Sequence, residues 1–300
     1  MIPIRRSLLA TVVALIAVPP FLWAQEPKLP PDLKKVAVAE GVELHYVEKG
    51  KGVPVVFVHG GFADYSFWED QLRPFAEKYR AIAYSRRYNF PNTNKLQPNY
   101  SPLVDAEDLA VLIKKLDLGK VHVVGSSLGG RVALFFAAKH PELVRSLILQ
   151  ELPIQFSGDP PDESGEQARK AQRAALEQGK RKEVIQLAFD NISGGKAKFD
   201  KFPENEQKVM LRNFGEKEAS LRSDVVPEID RDAVRKITAP TLLMSGEKSP
   251  PIWKPFEKEL MQLLPEKNRQ QVVISGAEHL MFRTHAEQSN KAIFEFLKEK

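Results

Sequence analysis

Cysteine is absent from the 300 residues, which excludes disulfides, thiol catalysis, cysteine-ligated metal sites and lipidation of an amino-terminal cysteine. No Gly-x-Gly-x-x-Gly follows a β-rich run and no Gly-Lys-Ser/Thr closes a phosphate loop, so both nucleotide-binding fingerprints are missing. Basic tracts interleaved with aromatics are missing as well, and the net charge of +5 is mild. Nucleic acid is therefore not an expected partner, and no motif calls for a cofactor or a metal. With 43% hydrophobic and 28% charged residues, the chain is neither compositionally disordered nor a multi-span membrane protein. Its length suits one large α/β domain carrying an insertion, enough to bury an active site.

What is present begins with an export signal. Residues 1–24 have a basic front, Arg5 and Arg6, then an apolar run through Leu8, Leu9, Val12, Val13, Leu15, Ile16 and Val18. Ala24 then offers a small residue for cleavage before Gln25. The run is short for a spanning helix, which favours a cleaved signal peptide over an uncut anchor, although Leu22 is a poor outer cleavage residue. Arg5-Arg6 is also a weak match to a twin-arginine signal. Cleavage leaves a mature charge of +3, a proline-rich leader over 25–33, no membrane span, and a periplasmic or secreted location.

Along the mature chain, Val36 to Val47 alternates as two half-buried strands turning at Glu40-Gly41. Short continuous apolar runs follow at Val53–Val58, Arg80–Tyr84, Val121–Val124, Ser146–Leu149, Thr241–Met244 and Gln271–Ile274, the pattern of strands buried on both faces. Segments of helical period lie between them at Asp105–Leu116, Arg131–Lys139, Trp253–Leu264 and Ala286–Lys298. This alternation predicts an α/β fold with a mostly parallel central sheet flanked by helices. The core is expected over 34–152 and 233–300. The polar, lysine-rich stretch 153–232 lacks a buried strand and reads as a helical cap insertion over the carboxyl edge of the sheet, where ligands bind in open α/β folds.

Gly125-Ser126-Ser127-Leu128-Gly129 fits Gly-x-Ser-x-Gly between a strand and a helix. A strand turning sharply into a helix holds its central residue in strained dihedrals and presents the Ser127 hydroxyl outward. At the helix start the backbone N–H of Leu128 is free to stabilise an oxyanion. A serine nucleophile needs a base, and the chain offers His45, His59, His122, His140, His279 and His285. His279 follows the last β-rich run and precedes the terminal helix, which fits the chain order of a base that comes last. His285 is the alternative, and the other histidines read as structural.

With His59-Gly60-Gly61-Phe62 after an earlier buried strand, these motifs resemble the α/β-hydrolase superfamily over about Leu33 to Lys300. The resemblance implies that the Gly61 N–H, beside Phe62, shares the oxyanion with Leu128, that His59 is structural, and that Val272 to His279 forms the histidine loop. Most members carry Gly-x-x-Asp after the strand equivalent to Thr241–Met244, but here the text is Gly246-Glu247-Lys248-Ser249. Glu151, at the end of the preceding core strand, is the expected substitute, as in haloalkane dehalogenases with a glutamate there. Glu247 is the alternative, and Glu278, adjacent to the histidine, is expected to point elsewhere.

A serine rather than the aspartate of dehalogenases and epoxide hydrolases implies an acyl-enzyme on Ser127 and a small-molecule ester, lactone or related acyl substrate. A carbon–carbon bond hydrolase and a cofactor-free haloperoxidase share the triad. A catalytically weak binding protein of the same fold and a membrane-tethered scaffold are the readings from other classes. Phe62 and Trp68 are candidate pocket residues. Arg86 and Arg87 either meet an acidic substrate or form surface ion pairs, the second being expected. Lysines 180, 182 and 196 read as a solvated face.

Overall fold

A computed structural model describes residues 29–160, 162–193 and 195–298; the export segment 1–24 lies outside the described residues. Residues Asp32–Lys300 form one compact unit. The period-two segment after Leu33 forms β1 (Lys34–Ala39) and β2 (Val42–Lys49), paired antiparallel across the Glu40-Gly41 turn. After β3 (Pro54–Val58) and helix α1 (Glu69–Ala76) comes β4 (Arg80–Tyr84), antiparallel to β2 and parallel to β3. Helix α2 (Pro102–Lys115), β5 (Val121–Ser126), α3 (Leu128–Lys139) and β6 (Val144–Gln150) continue the alternation.

Between β6 and the next strand the chain is helical: α4 (Glu163–Glu177), α5 (Arg181–Ser193), α6 (Glu204–Arg212), α7 (Phe214–Arg222) and the short α8 (Arg231–Arg235). The core then resumes with β7 (Thr241–Gly246), α9 (Lys254–Leu263), β8 (Arg269–Ile274), α10 (Met281–Thr284) and α11 (Ala286–Leu297). One eight-stranded sheet results, in the order β1-β2-β4-β3-β5-β6-β7-β8, parallel from β4 to β8.

The continuous apolar runs are explained by burial on both faces. Val56, Val58, Val123 and Leu149 pack with α2 and α3 on one side, while Val55, Phe57, Val124 and Ile148 pack with α1 and α11 on the other. Each such side chain contributes about 1.5–3 kcal/mol over exposure. Parallel strands place their carboxyl ends together, so the loops after β3, β5, β6 and β7 converge on one edge. The helices after β6 hold an apolar cluster of their own, including Val184, Ile185, Phe199 and Phe214, against which Phe62 packs. Among the described residues no helix is long and apolar enough to cross a membrane.

Candidate active site

The loops after β3, β5, β6 and β8 supply the site. Between β5 and α3, Ser127 sits at φ 53°, ψ −119°, a conformation a side chain adopts only under constraint. Its N–H donates to the Gln150 carbonyl at 2.8 Å, and its own carbonyl accepts from Arg131 N–H at 3.1 Å. Neither flanking glycine has room for a side chain. A Cβ on Gly125 would lie 2.6 Å from the Gly129 carbonyl oxygen, and one on Gly129 would overlap the carbonyl oxygens of Val58 and His59. The pattern Gly-x-Ser-x-Gly is thus the sequence that lets α3 start against the sheet.

Glu151, the first residue after β6, is also left-handed at φ 39°. Its Oε1 accepts from the Gly246 N–H at the end of β7, at 2.9 Å, and its Oε2 accepts from His279 Nδ1–H at 2.7 Å. The carboxylate is 1% exposed and the imidazole 21%. Because Nδ1 is the donor, Nε2 is left as an acceptor. Gln150, which the sequence did not single out, ties these parts together. It donates from Nε2 to the His279 carbonyl at 3.0 Å and to Glu151 Oε2 at 3.1 Å, and accepts from Ser126 Oγ at 2.5 Å. Its backbone carbonyl also holds Ser127, so nucleophile turn and histidine loop hang on one residue. No hydrogen bond joins Ser127 Oγ to His279 among the described residues; such contacts are often long without substrate and tighten when it binds.

The His59-Gly60-Gly61 loop follows β3 and lies against the Ser127 turn: a Cβ on Gly60 would sit 3.3 Å from Ser127 Cβ, and one on Gly61 3.0 Å from Leu128 Cδ1. Leu128 is the first residue of α3, where an N–H has no carbonyl one turn behind it. His59 is fully buried; Nδ1–H donates to the Gly60 carbonyl at 2.8 Å and Nε2 accepts from Arg86 N–H at 3.0 Å. Burial, with the Arg86 charge beside it, pushes its pKa down to about 3, so it shapes the loop as a neutral ring.

Arg86 and Arg87 correct the expectation of surface ion pairs: they are 0% and 7% exposed. The Arg86 guanidinium donates to the carbonyls of His59 and Gly60, to Asp105 Oδ2 at 2.8 Å and to both oxygens of Glu216 on α7, at 2.9 and 2.7 Å. It therefore fastens the loop after β3 to the helices after β6. Two carboxylates share this one cation, and burial raises the Asp105 pKa to about 6. Arg87 makes a two-point pair with Asp108.

Trp68 is a core residue rather than a pocket residue: it is 0% exposed, 5.1 Å from Phe57 and 5.0 Å from Phe282 between ring centroids. Phe62, at φ 56°, faces Phe189 of α5 at 6.1 Å and stays partly exposed. Glu247 is exposed and bound by Ser275 Oγ and the Gly276 N–H, and Glu278 is exposed. His285 caps α11 and contacts Thr284 Oγ1. His45, His122 and His140 bond Asn92, Ser146 and Glu107. Ser249, at the position of the usual aspartate, has a buried Oγ without a partner. Among the described residues no cluster of His, Cys, Asp and Glu is placed to hold a metal ion.

Comparison with known proteins agrees with this architecture. The profile of the alpha/beta hydrolase fold matches residues 53–286, and the chain belongs to that family. It is 27% identical over 277 residues to 2-(acetamidomethylene)succinate hydrolase of Mesorhizobium japonicum, covering 85% of this chain and 92% of that protein. Epoxide hydrolase 1 of Caenorhabditis elegans is 37% identical over 115 residues, 37% of this chain. The same identity over 115 residues relates the chain to 2-hydroxy-6-oxo-6-(2'-aminophenyl)hexa-2,4-dienoic acid hydrolase of Metapseudomonas resinovorans. These two matches span only 28% and 39% of the relatives' lengths. A solved thermophilic esterase from Thermogutta terrifontis superimposes with a TM-score of 0.70 at 24% identity, over 89% of this chain and 98% of that one, a likeness of fold.

Proposed function

We propose that this hydrolase cleaves a carboxylic ester, lactone or related acyl substrate through an acyl-enzyme on Ser127. The observation that carries the reading is the suspension of a strained serine and a carboxylate-paired histidine from one residue, Gln150. His279 Nε2 takes the hydroxyl proton as Ser127 Oγ attacks the carbonyl carbon. Glu151, paired to Nδ1, stabilises the imidazolium, and the N–H groups of Gly61 and Leu128 hold the oxyanion. The imidazolium gives its proton to the leaving alcohol. Water then attacks the acyl-enzyme with His279 again as base, and Ser127 is released.

A cation without an acid partner, four residues from Ser127, favours substrates bearing an anionic group. Arg131, four residues after Ser127 in α3, has no acid partner among the described residues; its Nε is buried without an acceptor. Burial pulls its pKa down to about 10. The relative matched over most of its length is named for a succinate derivative. Export of the mature chain from Gln25, by cleavage of residues 1–24, belongs to the same reading and is checked by amino-terminal sequencing of the exported protein.

The test is hydrolysis of neutral and carboxylated p-nitrophenyl esters by the chain from Gln25 onward, beside Ser127→Ala, Glu151→Gln and Ser249→Ala. Loss of activity with the first two and not the third supports the reading. Undiminished activity in Ser127→Ala sinks it.

A further inference from the structure

The segment that follows β7 contains three polar atoms buried without a partner: Ser249 Oγ, Trp253 Nε1 and Glu257 Oε1. Trp253 and Glu257 are four residues apart at the start of α9, hence on one face. With Glu151 and Met244 they line a small cavity behind the carboxylate that pairs with His279. Trp253 is 5% exposed, and its indole lies flat on the His279 imidazole, centroids 4.5 Å apart and planes 6° from parallel.

We propose that Trp253 is a positioning residue for His279, its indole face fixing the plane of the imidazole and stabilising the imidazolium formed during proton transfer. The inference rests on the serine-hydrolase reading for its kinetic consequence, though not for its geometry. Glu151 grips the ring at one atom, Nδ1, and a single hydrogen bond leaves rotation about that axis open. The parallel indole closes that freedom, so Nε2 keeps one direction. A π face against an imidazole also attracts it more strongly once it is charged, and burial strengthens the effect. The vacated acid position is consistent with this: in place of a carboxylate, the loop after β7 supplies an aromatic support.

The experiment compares kcat and KM for p-nitrophenyl butyrate in wild type, Trp253→Leu and Trp253→Phe, and records the His279 ring-proton NMR signals, assigned by their loss in His279→Gln. Trp253→Leu is expected to lower kcat about tenfold with KM within about twofold, and Trp253→Phe, which keeps an aromatic face, to restore most of the loss. In wild type the His279 signals should lie upfield of the other histidines and return to ordinary positions in Trp253→Leu. Wild-type kcat in Trp253→Leu, or a loss shared equally by kcat and KM in both variants, overturns the proposal. If wild type turns over no ester, the functional reading fails by itself, and the NMR signals still decide: ordinary His279 positions in wild type refute the stacking.

Discussion

Exchanging Glu151 for glutamine is the sharpest perturbation the site allows. The amide oxygen can keep the bond from the Gly246 N–H, now 2.9 Å, so the strand end need not move. The amide nitrogen, however, would face His279 Nδ1, where the carboxylate oxygen sits at 2.7 Å. Two donors cannot meet there. The imidazole must then carry its proton on Nε2, the atom that should accept from Ser127, and its charged form loses its counter-ion. The corresponding acid-to-amide change in a serine protease costs about 10⁴ in kcat, roughly 5.5 kcal/mol of barrier. Glu151→Gln should therefore lose about 10³- to 10⁴-fold in kcat, while stability falls by about 2–4 kcal/mol, the worth of the two charge-assisted hydrogen bonds that Oε2 accepts from His279 and Gln150. Ester hydrolysis and urea unfolding on the same sample separate the two. Activity within tenfold of wild type, or an equal loss in Glu247→Gln, would refute the assignment of the acid.

Three further outcomes follow from the same geometry. In the Glu151→Gln background, Ser249→Asp returns a carboxylate to the loop after β7 and should recover about 10- to 100-fold of the lost kcat; no recovery would show that this loop cannot present an acid to His279. Arg86→Met leaves Asp105 and Glu216 buried without their cation and should cost about 3–5 kcal/mol in urea unfolding; a loss under about 1 kcal/mol would contradict the picture of Arg86 as the fastening of the loop after β3. His122, 2% exposed, is held by burial at about 4, below its ordinary 6.5. The unfolded chain therefore binds this proton first as pH falls, and the stability His122 provides is complete above pH 6.5 and lost towards pH 4, about 3 kcal/mol in all. His122→Gln should flatten unfolding free energy against pH in that window, and an unchanged slope would contradict it.

The buried strands and the nucleophile turn were legible because their physics is local. A strand covered on both faces must be continuously apolar, and a turn too tight for any Cβ must carry glycines. Glu151 stands out in the sequence because serine occupies the usual aspartate position, which directs attention to the neighbouring strand end, and the structure pairs its carboxylate with His279. Arg86 was misjudged because nothing in its local sequence announces Asp105 and Glu216, which lie 19 and 130 positions away. Trp68 carries the same lesson in reverse: an aromatic near the oxyanion loop reads as pocket or core until its burial against Phe282 is seen. Gln150 and Trp253 act through contacts with the histidine loop over 100 residues and about 25 residues away in sequence respectively, distances at which periodicity is silent.

Covalent acylation of Ser127 is tested most directly by peptide mass spectrometry of the protein quenched in acid during turnover of a p-nitrophenyl ester. An acyl adduct on the peptide containing Ser127, absent from Ser127→Ala, is the predicted result. Turnover with no adduct on Ser127, or an adduct on another residue in both proteins, would contradict it.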